Sequence, residues 1–294
     1  MSQGSLSLRG GVLWVARQAR RAHVQPFDLD GRALGPGFSF AGAGGGALAL
    51  GGIEVDSDRQ LWSVDGRAGA VRAFSVFGRE SASFVGAPLE RDDARGVLAG
   101  ASDLALHETD HALEVLVACG GARRHGLALL RADGRLVASL RPLGDPRGRF
   151  GDIARVVQHG PWTYVCERGA RRVQVFRDFE FHFSFRIELG SLERPEPVAL
   201  AALPDGRLLI ALAGAGTALV LTDGVGRVHA VLAAIGEGHG ELRDVGDIAV
   251  EAGADERSGR VAVIDRDAER LAVFDLAGRS LGDFPSLPGD PQGS

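Results

Sequence analysis

The chain has no lysine and no asparagine, one methionine, one tyrosine and two cysteines in 294 residues, so all 33 of its basic residues are arginine. Lysine and asparagine codons are AT-rich, and a GC-rich genome accounts for that bias without any appeal to phosphate binding. With only two cysteines, Cys119 and Cys166, a disulfide framework is not implied. No run of 18 or more apolar residues is present, which excludes a membrane-spanning helix. The first residues lack the basic, apolar and small-residue succession of a secretory leader. A cytoplasmic protein with no membrane association is therefore expected. A net charge of -5 argues against a generally basic nucleic-acid binder.

What is present is a repeat. The stretches "WTYVCERGARRVQVFRDFE" (162–180) and "RVAVIDRDAERLAVFDLAG" (260–278) share one plan. Each has an apolar run ending on an acid, a polar loop closing on arginine, and an alternating run ending on phenylalanine. Glu167 with Arg172, and Asp265 with Arg270, occupy matching places, which predicts a local ion pair in each loop. The same plan recurs around Phe27, Phe74, Leu130 and Leu221. With Phe176 and Phe274 these six markers lie 47, 56, 46, 45 and 53 residues apart. Short strands such as "GGIEV" (51–55), "SDLAL" (102–106), "GDIAR" (151–155) and "GDIAV" (246–250) precede the units, and a fourth strand follows each.

Runs such as "VLWVA" and "LLIALA" are apolar on both faces, so their sheets must be covered on both sides. Radial packing around an axis achieves that and leaves only short edges. Asp133-Gly134, Asp205-Gly206 and Asp223-Gly224 mark hairpin turns. The expected fold is all-β: a six-bladed β-propeller of four-stranded antiparallel blades. It forms one domain over residues 1–294, with blades near 4–40, 48–86, 100–141, 149–190, 196–235 and 243–284. Ring closure is open between six self-contained blades and pairing of "SLSL" (5–8) with the last blade.

"GDIAV…RVAVIDRDAERLAVFDLAG" and "YVCERGARRVQVF" resemble the NHL repeat, which implies a six-bladed propeller. That resemblance implies function less sharply, because propellers host enzymes, RNA binders and protein-binding modules.

"HETDH" (107–111) fits the H-E-x-x-H zinc signature, which needs a helix to turn both histidines the same way. The repeat instead places it in the hairpin after the innermost strand of blade 3, as a solvated turn. The glycine run 42–52 contains a dinucleotide-type G-x-G-x-x-A but leads into a strand, so an inter-blade loop is expected. Asp103, Asp152 and Asp247 share one motif position and are expected to ring a mouth of the central channel. Carboxylates so placed suit a hard cation or accept backbone N–H groups. Propeller lactonases resemble the first arrangement, but use asparagine ligands that this chain lacks.

The loops between second and third strands lie on one face and carry arginine in five of six blades. Arg20, Arg21, Arg67, Arg123, Arg124, Arg168, Arg171 and Arg266 are the candidate binding residues. The leading expectation is a non-enzymatic binding or scaffolding propeller that engages a protein or an anionic ligand through this face. No cofactor, resident metal or catalytic residue is assigned. A metal-dependent hydrolase or lyase at the aspartate-lined mouth is the second reading. An RNA binder is the third, disfavoured by the acidic charge and the scarcity of aromatics.

Overall fold

The computed structural model describes residues 4–18, 21–42, 45, 48–85, 98–109, 111–121, 124–140, 149–190, 195–214 and 216–285. Twenty-four strands form six four-stranded antiparallel sheets, each made of four consecutive strands. No α-helix occurs among the described residues, and none is long and apolar enough to cross a membrane. The protein is a six-bladed β-propeller.

The innermost strands are β1 (Gly4–Arg9), β5 (Leu50–Val55), β9 (Ala101–Glu108), β13 (Ile153–His159), β17 (Glu196–Ala202) and β21 (Val245–Glu251). They neighbour one another in that order, and β21 returns to β1. Burial follows from position in the blade. The second strands β6 (Gln60–Asp65), β14 (Trp162–Glu167) and β22 (Arg260–Asp265) are buried on both faces because a blade covers each side. The outermost β16 (Glu180–Phe185) alternates exposed and half-buried residues. All six repeat markers are buried, with Phe74, Phe176 and Phe274 among the largest wholly enclosed side chains.

One hydrophobic cluster fills each joint between blades. Leu6, Leu13, Val15 and Phe27 of blade 1 pack on Ala249, Ala262, Ile264 and Leu271 of blade 6. "SLSL" pairs within blade 1, against β2 (Val12–Gln18), so the ring closes without a shared strand. Blade 1 also holds blade 6 through Gly10 and Gly11, whose N–H groups donate to Glu251. Gly31, at φ 80° in the blade 1 turn before the last strand, lies where any Cβ would run into Phe284 of blade 6. Gly226 repeats that contact against Phe185 of blade 4. It is Gly226, at φ 89°, and not Gly224 of the expected Asp-Gly pair, that takes the left-handed conformation, because Asp223 caps a longer turn through the N–H groups of Val225 and Arg227.

Candidate functional site

The loop face is built by the connections from second to third strands. In blades 4 and 6 the acid that ends the second strand is fully enclosed. Glu167 accepts from Arg172 Nε at 2.6 Å and from Gln174 Nε2 at 2.7 Å, and also from the N–H of Gly151. Asp265 sits 3.1 Å from Arg270 and accepts the N–H groups of Arg243 and Asp244. The two expected ion pairs therefore form. They are more buried than surface pairs, so removing either arginine strands an enclosed carboxylate. In blade 2, Asp65 takes the same place and accepts the N–H groups of Ala49, Arg67 and Ala68. The acid of the repeat thus ties the incoming chain to the end of the second strand.

The candidate arginines divide. Arg168 pairs with Asp152 at 3.1 Å, and Arg171 with Glu196 of the next blade at 3.3 Å. Arg266 makes a two-pronged contact with Asp244 at 2.7 and 2.8 Å. These three have acid partners that lie outside their own loops, so the pairing does not show within any one loop of the sequence. Arg21 and Arg67 are exposed, and their side chains make no ion pair or hydrogen bond among the described residues. Arg20 and Arg123 lie outside the described residues. Arg124 begins β11 (Arg124–Arg131), and its side chain is also outside the description.

At the channel mouth the structure brings Asp103 and Asp247 together and leaves Asp152 out. Asp103 pairs across β10 (Leu113–Gly121) with Ala118, after a bulge at Ser102. Asp247 pairs with Ile264, after a bulge at Gly246. In blade 4 the bulge falls later, at Ala154, so Arg155, not Asp152, takes the equivalent place. Asp152 is exposed, and its carbonyl accepts the Arg168 N–H as that of Asp244 accepts the Arg266 N–H. Asp152 is thus the counterpart of Asp244. A shifted bulge changes which residue faces the axis without altering the motif around it.

Arg155 is the residue that the sequence reading missed. Its Nη1 lies 2.8 Å from Asp103 Oδ1, 3.3 Å from Asp247 Oδ2 and 3.4 Å from Ser5 Oγ. Burial works against its charge, yet Asp103, Asp247 and Glu54 around it hold its pKa above that of a free guanidinium. Burial pushes Asp103 up to about 7 against the opposing pull of Arg155 and the Val156 N–H. Burial likewise pushes Glu54 up to about 7.

These groups also join the blades. Innermost strands belong to separate sheets, so their axial N–H groups need other acceptors. Asp247 accepts from Leu6 N–H at 2.8 Å and from Ser5 Oγ at 2.9 Å. Ser5 and Ser7 accept from the N–H groups of Ile53 and Val55, each at 3.1 Å. Glu54 accepts from Leu106 N–H at 2.6 Å, and Asp103 from Val156 N–H at 2.8 Å. A series of side-chain acceptors thus runs from blade 6 through 1, 2 and 3 to 4. Arg155 and Glu54 also line a channel cavity of about 130 Å³, together with Leu6, Ile53, Leu104 and Leu200. Among the described residues, no three histidine, cysteine or acidic side chains are grouped to hold a metal ion.

The described residues of "HETDH" are not helical. His107 and Glu108 end β9, and Thr109 caps the following turn by accepting the N–H groups of His111 and Ala112. Glu108 bridges blades by accepting from Arg9 at 2.7 Å and from Ser57 N–H at 2.6 Å. Both cysteines are buried, and burial pushes the Cys166 thiol up, away from the reactive thiolate.

No family model matches the chain, so membership of the NHL repeat family is not shown and the likeness is one of motifs. No curated protein sequence matches it either. Solved structures do match in fold. A streptogramin B lyase aligns with TM-score 0.62 at 13% identity, over 97% of this chain and 83% of that one. A catalytically inactive virginiamycin B lyase from Staphylococcus aureus, solved with quinupristin, aligns with TM-score 0.60 at 11% identity, over 97% and 84%. A chain of a nidogen/laminin complex aligns with TM-score 0.63 at 14% identity, over 93% of each. At such identities the likeness is one of fold, and the neighbours include lyases and a member of a protein complex.

Proposed function

We propose that this chain is a non-enzymatic binding propeller that engages an acidic segment of another protein through the arginine loops of blades 1 to 3. The observation that carries this reading is the division among the arginines. Those of blades 4 and 6 are occupied by acids, whereas Arg21 and Arg67 are exposed without an acid partner among the described residues. Arg20, Arg123 and Arg124 flank the same region by sequence. Exposed guanidinium groups suit carboxylate recognition, because the planar fork matches the anion in two-pronged pairs. The aspartates that favoured a hydrolase or lyase accept N–H groups of neighbouring blades and pair with Arg155, which supports a structural role for them. The neighbour solved in the nidogen/laminin complex has the same architecture within a protein complex.

The test is anisotropy titration of a labelled poly-glutamate peptide and of a single-stranded RNA across a salt series. The wild type should bind the peptide with a steep loss at higher salt. The double variants Arg20→Ser/Arg21→Ser and Arg123→Ser/Arg124→Ser should weaken it about tenfold each, and Arg168→Ser, already occupied by Asp152, should not. Tighter binding of the RNA would favour the RNA-binding reading. Undiminished peptide binding in both double variants would refute the arginine face.

A further inference from the structure

On the opposite face, between blades 1 and 2, lies an open groove of about 550 Å³. Its position is independent of the arginine loops. Trp14 and Val55 line it together with Pro26, Leu34, Val76 and Phe77. Phe77 is 90% exposed and Leu34 53%, the two most prominent apolar side chains of its rim. A volume of this size is that of a small-molecule site, and two exposed apolar side chains border it.

The walls are built rather than loose. Gln25 Nε2 donates to the Gly35 carbonyl at 2.6 Å, and the Leu34 N–H to the Pro26 carbonyl at 2.9 Å. Gly37 packs so closely that a Cβ there would meet the Val24 carbonyl. Across the groove, Asp56 is buried and accepts from Gln60 N–H at 2.7 Å and Trp62 Nε1 at 2.8 Å. Its carbonyl accepts the Arg59 N–H, which fixes the turn that presents Arg59.

Two guanidinium groups line the groove, and only one is uncommitted. Arg9 donates to the Val55 carbonyl and to both oxygens of Glu108. Arg59 is exposed, and its side chain makes no ion pair or hydrogen bond among the described residues. One open cation beside an apolar trough calls for one anionic charge on an apolar body. A phosphate would ask for more than one such donor. The geometry points to a binding site for an alkyl or aryl monocarboxylic acid, its hydrocarbon along Trp14, Val55 and Phe77 and its carboxylate on Arg59.

Calorimetry with decanoate and 2-naphthoate, against decan-1-ol and 2-naphthol, tests this. Each acid should bind the wild type saturably, about tenfold or more tighter than its alcohol, the scale of a charged hydrogen-bonded contact. Arg59→Gln should abolish that preference with an unchanged melting temperature. Phe77→Ser, also at an exposed turn, should weaken acid and alcohol alike. Absence of saturable binding up to the solubility limit, or equal acid affinity in Arg59→Gln, would overturn the assignment. So would a wild-type dimer by light scattering that Phe77→Ser converts to monomer, since the groove would then hold a second copy.

Discussion

At the joint between blades 5 and 6, eighteen buried hydrophobic residues form one cluster; at the joint between blades 6 and 1, eight do. The joint between blades 3 and 4 also has eight. These two lean joints are the ones where an aspartate reaches across to the next blade, Asp247 to Leu6 and Asp103 to Val156. Among the described residues no aspartate reaches a backbone N–H across the rich joint, where the cross-blade carboxylate is Glu256, which accepts from Arg207 at 2.6 Å on the exposed turns. Arg155 touches both aspartates, so one cation serves both lean joints at once. The ring is held by apolar area where side chains are plentiful, and by a shared charge cluster near the axis where they are few.

The contrast can be broken most strongly at Arg155. Arg155→Met leaves two enclosed carboxylates without their cation and should cost about 4 kcal/mol by urea denaturation near neutral pH. Leu219→Ala, at a fully buried position of the rich joint, should cost about 3 kcal/mol. A loss there exceeding that of Arg155→Met would reverse the ranking of the two materials. Glu54→Gln should act in the opposite direction. The folded-state pKa of Glu54, about 7, lies above its ordinary value of 4.5, so the folded protein holds the proton more tightly and stability falls as pH rises through that window. Glutamine mimics the protonated form. The variant should match the wild type at pH 5 and melt higher at pH 8, by about 2 kcal/mol of stability. Equal melting at pH 8 would show that Glu54 is ionised without strain. The smallest effect belongs to Glu108→Gln, a partly exposed bridge to Arg9, which should cost less than about 1 kcal/mol and leave any activity intact.

The propeller was legible because every blade repeats a strand apolar on both faces and ends its third strand on a large buried side chain. Phe176 and Phe274 announced themselves, and so did the Glu167–Arg172 and Asp265–Arg270 pairs, since both partners lie within one short loop. The axial cluster was not legible. "GDIAR" and "GDIAV" look alike, and the later bulge of blade 4 that turns Arg155 toward the axis has no letter of its own. One signal was present: an arginine in an innermost strand at a place where blade 6 has Val250 and blade 3 has Leu106. Partners such as Asp244 for Arg266 and Glu196 for Arg171 escaped because they come from segments before or after the loop that carries the arginine. Serine acceptors at Ser5 and Ser7 left no trace, being ordinary residues in a short alternating strand.

Closure without a shared strand has a mechanical side. Each blade owns its four strands, so tension applied between residues 4 and 285 falls first on the seam between blades 6 and 1. What resists it there is side-chain packing, the Asp247 bonds to Ser5 and Leu6, and the Glu251 grip on Gly10 and Gly11. A ring that lends a strand across its seam must shear a whole backbone ladder before it parts. This one can yield as a split washer does, opening at a single gap while the other five joints keep their shape.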